Sequence, residues 1–153
     1  MKDNKKIYLG SDHAGFKLKE EIKNFLKSKG YDYEDIGPKE YSAGDDYPDY
    51  AFLVAKQVSR SGGFGILICA SGVGMCITAN KVSGIRAVNA YNIKIAQKSR
   101  EHNDANILCL GQDYIDIDTA KKIVKAWLET DFRPEEKHIR RVSKISRVEN
   151  GTI

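Results

Sequence analysis

The chain has 153 residues, of which 30% are charged and 41% are hydrophobic, so it fits one ordinary globular domain with one substantial core. A formal net charge of +4 is too small to indicate a nucleic-acid partner. No stretch approaches the ~20 apolar residues of a membrane span. The charged start MKDNKK lacks the apolar core of a signal peptide. We therefore expect a single domain over residues 1–153 in a cytoplasmic protein, without membrane or nucleic-acid partners.

The cysteines indicate a reducing compartment. Cys69, Cys76 and Cys109 form no CxxC pair, and an odd number leaves one thiol over in any disulfide scheme. We interpret Cys76 and Cys109 as core or wall residues.

Predicted strands and helices alternate through the first half of the chain. Residues 6–10 form a short apolar strand, and the helix after it carries an apolar stripe that ends at Gly30. Residues 31–37 alternate as a strand, and Pro48 marks the start of a second helix. Residues 64–70, FGILICA, are apolar throughout, which is typical of a strand buried on both faces.

The second half continues this alternation. The predicted helices cover 72–82, 92–102 and 118–129, and the predicted strands cover 85–91 and 105–111. Strands separated by helices predict an α/β protein with a five-stranded parallel sheet covered on both sides. Residues ~134–153 form a basic tail in which Ile139, Val142 and Ile145 recur at helical spacing, so we expect a C-terminal helix.

Polar residues follow several of the predicted strands. Asp12 and His13 follow the first strand, Cys69 and Ser71 the third, and Asn89 lies near the end of the fourth. Because ligands bind such sheets at the carboxyl ends of the strands, we expect the site at this edge.

The segment Ser71-Gly-Val-Gly74 after the third strand presents successive backbone N–H groups, which suit a phosphate or a developing oxyanion. A tight turn without a ligand is nearly as common for two glycines spaced in this way. The segment matches neither the dinucleotide fingerprint nor the P-loop.

The remaining candidate residues each have a structural and a functional interpretation. Cys69, at the end of its strand and beside a helix start, is either a thiolate base or nucleophile or a packed thiol. In the structural interpretation, Asp12 caps a helix and His13 is solvated. His102 is then a polar loop residue, and Tyr47 is a packed aromatic residue. Arg141 in the basic tail offers a forked cation to a phosphate, or belongs to a solvated helix face.

Several ordered segments together resemble the type B family of ribose-5-phosphate isomerases, with its galactose-6-phosphate and allose-6-phosphate isomerase relatives. The matching segments are SDHAGF at 11–16, DYPDYA at 46–51, ICASGVGMCITANKVSGIRA at 68–87, REHNDANILCLG at 100–111, and the basic tail at 137–141.

This resemblance implies a Rossmann-like three-layer α/β/α sandwich in homodimers with shared active sites, which can pair further into tetramers. It also implies interconversion of an aldose phosphate and a ketose phosphate through an enediolate, without metal or cofactor. Ribose 5-phosphate and ribulose 5-phosphate are the expected pair. A six-carbon sugar phosphate, such as allose 6-phosphate or galactose 6-phosphate, and a catalytically inactive sugar-phosphate-binding module are the alternatives.

The resemblance also implies roles for individual residues. Cys69 is the expected base, and Asp12 the shuttle for the hydroxyl proton. Ser71 and the backbone N–H groups of Gly72, Val73 and Gly74 are expected to hold the enediolate oxygen. His102 of the other subunit opens the sugar ring, while Asn103 and Tyr47 place the sugar. The phosphate ligands implied are His13, Lys137, His138 and Arg141.

The chain departs from the family pattern near the expected phosphate. Ala70 stands where the family usually has glycine, and it would be strained if that position needed a positive φ. Asp113 stands where arginine is common, and its carboxylate repels a phosphate. Lys137 replaces an arginine and loses the bidentate fork, for which Arg140 is a possible substitute.

Overall fold

The structure of the protein is a computed structural model that describes residues 5–153; residues 1–4, the start of the expected domain, lie outside the described residues. The strands are β1 (Ile7–Ser11), β2 (Tyr33–Gly37), β3 (Phe64–Cys69), β4 (Ala87–Asn89) and β5 (Ile107–Gly111). The helices are α1 (Phe16–Ser28), α2 (Tyr47–Ser61), α3 (Val73–Ala79), α4 (Ile93–Asn103), α5 (Ile117–Glu129) and α6 (Glu136–Val148). A short 3₁₀ turn at His13–Gly15 joins β1 to α1.

The five strands form one parallel sheet in the order β2-β1-β3-β5-β4. The chain leaves β1 towards β2 on one side, whereas β3 leads to β4 and β5 on the other. The order therefore reverses between β1 and β3, and doubly wound sheets bind ligands at the carboxyl ends of such neighbouring strands.

Two apolar layers pack against the sheet, as the unbroken apolar strands predict. On one face, α1 and α5 contribute buried residues to a core with the strands, and Trp127 of α5 is fully buried there. On the other face, α2 and α3 form a second core that includes Val54, Met75 and Cys69. The three-layer α/β/α sandwich expected from the sequence is confirmed.

The ends of several elements differ from the prediction. The fourth strand covers residues 87–89 instead of 85–91. Beyond its end the chain turns into α4, which Asn92 caps by accepting a hydrogen bond from the Ile95 N–H at 2.9 Å. The tail helix α6 ends at Val148, after which Glu149 accepts hydrogen bonds from Ser83 and Gly84, both at 2.7 Å. Within residues 5–153, no helix combines the length and the apolar character needed to cross a membrane.

Candidate active site

The loops after β1 and β3 meet at the switch point of the sheet. A Cβ atom at Gly15 would lie 2.3 Å from the carbonyl oxygen of Ile68, so the turn after β1 packs directly on the backbone of β3. Asp12 begins that turn, and its Oδ1 accepts a hydrogen bond from the Gly15 N–H at 3.0 Å. Burial raises the pKa of Asp12 above its ordinary value. The structure thus makes Asp12 a cap and also places its carboxyl group, with a raised pKa, beside the end of β3.

Cys69, the last residue of β3, is 5% exposed and belongs to the core on the α2 and α3 face. Its Sγ accepts a hydrogen bond from the backbone N–H of Gly72 at 3.1 Å. Gly72 has φ +79°, a backbone conformation that residues other than glycine rarely adopt. The thiol is therefore buried in the core and still touches the turn, so its position is compatible with both interpretations of Cys69.

Ser71 and the following amides form the rest of the turn. Ser71 Oγ accepts a hydrogen bond from the Val73 N–H at 3.2 Å, which leaves the hydroxyl proton available to donate. The Ser71 carbonyl oxygen accepts hydrogen bonds from the Tyr91 hydroxyl at 2.7 Å and from Asn89 Nδ2 at 3.2 Å. Ala70 is unstrained, because Asp104 is the one non-glycine residue among residues 5–153 with a positive φ.

Tyr47 lies over the start of α3. A Cβ atom at Gly74 would lie 2.5 Å from Tyr47 Cζ, so only glycine lets the ring approach this closely. Tyr47 is 40% exposed, so part of the residue is accessible to solvent beside the turn. This position suits the sugar-placing role implied by the resemblance, and the Tyr47–Gly74 contact also satisfies the interpretation as a packed aromatic residue.

His13 is held by Asp45, a residue that the sequence analysis missed. Asp45 Oδ1 accepts hydrogen bonds from the backbone N–H of His13 at 2.9 Å and from its Nδ1 at 2.8 Å. The hydrogen bond to Asp45 raises the pKa of His13, and the charges of Asp12 and Asp45 add to this effect. Asp45 lies in an irregular loop before α2, where no periodic pattern marked it.

Another group of the predicted residues lies at the opposite edge of the sheet. His102 and Asn103 end α4, and the His102 ring contacts His138 of α6 at 4.5 Å between centroids. His138 is 3% exposed, and its Nδ1 lies 3.0 Å from the carbonyl oxygen of Arg133. In this structure His138 supports His102 and offers little surface to a ligand.

One chain does not bring the two groups together. α4 ends just before the first residue of β5, whereas Cys69 pairs with Gly111 at the last residue of β5. Five strand residues span roughly 15 Å. The two groups are therefore separated by about the length of one strand. One group contains His102, Asn103 and His138, and the other contains Cys69, Ser71 and Tyr47.

The basic tail carries both free and paired cations. Lys137 Nζ lies 2.9 Å from Glu135, and Arg140 lies 3.7 Å from Glu136, so the suggested substitute Arg140 already has an acidic neighbour. Arg141 is exposed. Asp113 is also exposed, and its N–H donates to the carbonyl oxygen of Ala70 at 3.0 Å. This contact places Asp113 next to the Cys69 turn.

The fold is that of a Rossmann-like α/β protein, and its candidate site, at the switch point of the sheet, contains a buried thiol. The chain belongs to the ribose/galactose isomerase family, whose model matches residues 7–145. It is 45% identical over 148 residues to ribose-5-phosphate isomerase B of Escherichia coli, covering 95% of this chain and 97% of that protein.

Solved structures give the same family. Ribose-5-phosphate isomerase B of Clostridium thermocellum superposes with a TM-score of 0.92 at 46% identity, covering 95% of this chain and 98% of that one. The enzyme of Mycoplasma genitalium, crystallised with bound ribulose-5-phosphate, superposes with a TM-score of 0.92 at 42% identity over 96% of this chain and 97% of its own. The family expected from the sequence is confirmed.

Proposed function

We propose that this protein is an aldose–ketose isomerase that interconverts ribose 5-phosphate and ribulose 5-phosphate. Similarity to ribose-5-phosphate isomerases B over nearly the whole chain supports the reaction. The observation that carries the proposal in this chain is the contact between Cys69 Sγ and the Gly72 N–H at 3.1 Å. It joins a candidate base to the turn that stabilises negative charge.

In the proposed reaction, the Cys69 thiolate removes the proton from C2 of the open-chain aldose. The C2–H electron pair forms the C1=C2 bond while the carbonyl pair moves to O1, giving an enediolate. Ser71 and the N–H groups of Gly72, Val73 and Gly74 stabilise that oxygen. Asp12 moves the hydroxyl proton from O2 to O1, and its raised pKa suits a group that both takes and gives a proton. The Cys69 thiol then returns its proton to C1.

We also propose that the active form is a homodimer with shared sites, or a tetramer of such dimers. His102 and Asn103 lie at the edge of the sheet opposite to Cys69, so a second copy has to supply them for ring opening and sugar placement. In the same way, Lys137 and Arg141 of a second copy would join His13 at the phosphate, whereas the buried His138 would act behind His102. The three free cysteines fit a cytoplasmic setting.

The first test is turnover of ribose 5-phosphate by the purified protein and by Cys69→Ala, with Cys76→Ala as the matched cysteine control. We expect Cys69→Ala to lose about 10²- to 10⁴-fold in kcat, the usual contribution of a general base, and Cys76→Ala to keep its activity. Allose 6-phosphate and galactose 6-phosphate are assayed beside the pentose. Faster turnover of a hexose phosphate would identify that hexose phosphate, and not ribose 5-phosphate, as the substrate. Binding of these sugar phosphates without turnover of any of them would support the inactive binding module.

Subunit complementation tests the shared site. Cys69→Ala and His102→Ala are each nearly inactive if both residues act in catalysis. In a randomly mixed dimer population, half of the dimers combine the two variants and hold one intact site of two. Unfolding and refolding an equal mixture should therefore restore about one quarter of the wild-type activity. No recovery, with mixed dimers shown by mass spectrometry, would place all these residues in one chain's site.

A further inference from the structure

The Ser71 carbonyl oxygen lies in a clamp formed by two side chains from the loop after β4. The Tyr91 hydroxyl donates to it at 2.7 Å, and Asn89 Nδ2 donates to it at 3.2 Å. Asn89 Nδ2 also donates to the Tyr91 hydroxyl oxygen at 3.1 Å, so the two side chains hold each other as well as the carbonyl. We call this pair, Asn89 and Tyr91, the carbonyl clamp.

The carbonyl clamp controls the peptide unit that touches the thiol. In a planar trans peptide the C=O and N–H groups point in opposite directions, so fixing one fixes the other. The carbonyl of the Ser71–Gly72 peptide is held by the clamp, and its N–H is the one that donates to Cys69 Sγ at 3.1 Å. A hydrogen-bond donor aimed at sulfur favours the thiolate over the thiol.

Two glycines allow this arrangement. A Cβ atom at Gly111 would lie 2.6 Å from the Ser71 carbonyl oxygen, and one at Gly72 would lie 2.4 Å from Asn89 Oδ1. The peptide is thus packed against β5 on one side and against Asn89 on the other. It has little room to rotate while the clamp is closed.

We infer that Asn89 and Tyr91 are positioning residues for Cys69, which hold the Ser71–Gly72 peptide so that its N–H stabilises the thiolate. The inference rests on the proposed role of Cys69 as the base, but the chemistry of the thiol reports on it without any turnover. Among the described residues, no hydrogen bond joins either side chain to Cys69, so the effect passes through the peptide.

The test is the rate of Cys69 alkylation by iodoacetamide between pH 5 and pH 10, followed by mass spectrometry of the peptides, in Tyr91→Phe and Asn89→Ala. Loss of one hydrogen bond of about 1 kcal/mol corresponds to about a fivefold change in an equilibrium. We expect Cys69 alkylation at pH 7 to fall about fivefold in Tyr91→Phe. In turnover assays kcat should fall by the same factor while KM stays unchanged.

Tyr114→Phe is the matched control. The Tyr114 ring packs edge-on against Tyr91 at 5.9 Å, so this variant removes a neighbouring hydroxyl and leaves the carbonyl clamp in place. Cys76, half-buried on α3, is an internal reference within each sample. If the two residues served only packing, their loss would expose the buried Cys69 and speed its alkylation.

Faster or unchanged alkylation of Cys69 in Tyr91→Phe would therefore overturn the inference. Tyr91→Phe keeps the aromatic ring on the surface, so it answers the question even if Asn89→Ala does not fold. Suppose that Tyr91→Phe slows the alkylation of Cys69 but the wild-type protein turns over no sugar phosphate. That result would support the role of the carbonyl clamp and refute the proposed function.

Discussion

The rings of His102 and His138 lie 4.5 Å apart with 30° between their planes, joining the end of α4 to α6. Desolvation lowers the pKa of His102 below 6.5, and the nearby charges of His138 and Lys98 lower it further. A neutral ring at neutral pH suits the acid and base steps of the proposed ring opening.

We expect His102 to titrate below 6.5 in an NMR titration of the histidine rings, and to titrate higher in His138→Gln, which removes one neighbouring positive charge. Because the unfolded chain binds this proton more readily, the contribution of His102 to stability is lost as the pH falls below 6.5. The control is His13, whose titration should not respond to His138→Gln. A His102 titration at or above 6.5 in the wild type would contradict the prediction.

Asp45 should set the charge of His13. Its hydrogen bonds raise the pKa of His13, so the imidazolium form persists to higher pH than in an isolated histidine. Asp45→Asn keeps the shape and removes the charge. If His13 binds the phosphate, KM for the sugar phosphate should rise about twofold to fivefold at pH 7.5. This is the effect of weakening a solvent-exposed ion pair between His13 and the phosphate.

The difference in KM should vanish near pH 5.5, where His13 is protonated in both proteins. Asp46→Asn is the control, because Asp46 is exposed and no hydrogen bond from its side chain caps α2. An equal KM effect at both pH values would show that Asp45 acts through the loop structure and not through the charge of His13.

Pattern and position explain what the sequence could predict. Apolar strands and amphipathic helices determine the order of the elements, and residues that directly follow β1 and β3, such as Asp12 and Ser71, were found because strand ends share an edge. Asp45 and Tyr91 were missed because each acts through a contact with a residue distant in sequence. Asn89 was noted only for its place at a strand end; its bond to Ser71 depends on how β4 and β5 align.

A buried ion pair anchors α1 to β2. Lys19 is fully buried, and its Nζ donates to both carboxylate oxygens of Asp35 at 2.8 Å and to the Pro38 carbonyl oxygen at 2.9 Å. Lys19→Met leaves the Asp35 carboxylate buried with fewer partners and should cost about 3 kcal/mol of unfolding free energy, measured by urea denaturation. Lys23→Met is the control, because the Lys23 side chain is 25% exposed. This substitution should lower the free energy of unfolding by about 1 kcal/mol or less.

The pH dependence of stability distinguishes the charge of this pair from its packing. Burial acts to raise the pKa of Asp35, but hydrogen bonds from Lys19 and Lys23 outweigh it, so the pKa lies below 3.8. The stability that comes from this lowered pKa is present above pH 3.8 and is lost as the pH falls. Lys19→Met should flatten this acid-side loss. An unchanged acid-side slope would assign the cost of the variant to packing alone.

Asp113 should weaken phosphate binding in this chain. Its backbone is fixed to Ala70 beside the Cys69 turn, and its side chain is exposed. Removing the carboxylate charge in Asp113→Asn should lower KM for ribose 5-phosphate about twofold to fivefold, since a charge in water contributes up to about 1 kcal/mol. The kcat value should not change, because Asp113 contacts none of the reacting groups in the proposed mechanism.

Asp118→Asn is the matched control, because Asp118 lines the same groove as Asp113 but lies in the first turn of α5. The benefit of Asp113→Asn should shrink between 0.01 M and 1 M salt, as the screening length falls from about 30 Å to about 3 Å. Equal effects of both variants would indicate a general field of the acidic groove and not a local repulsion. A higher KM in Asp113→Asn would mean that the carboxylate takes part in binding the sugar phosphate, through a cation or a hydroxyl group that it holds.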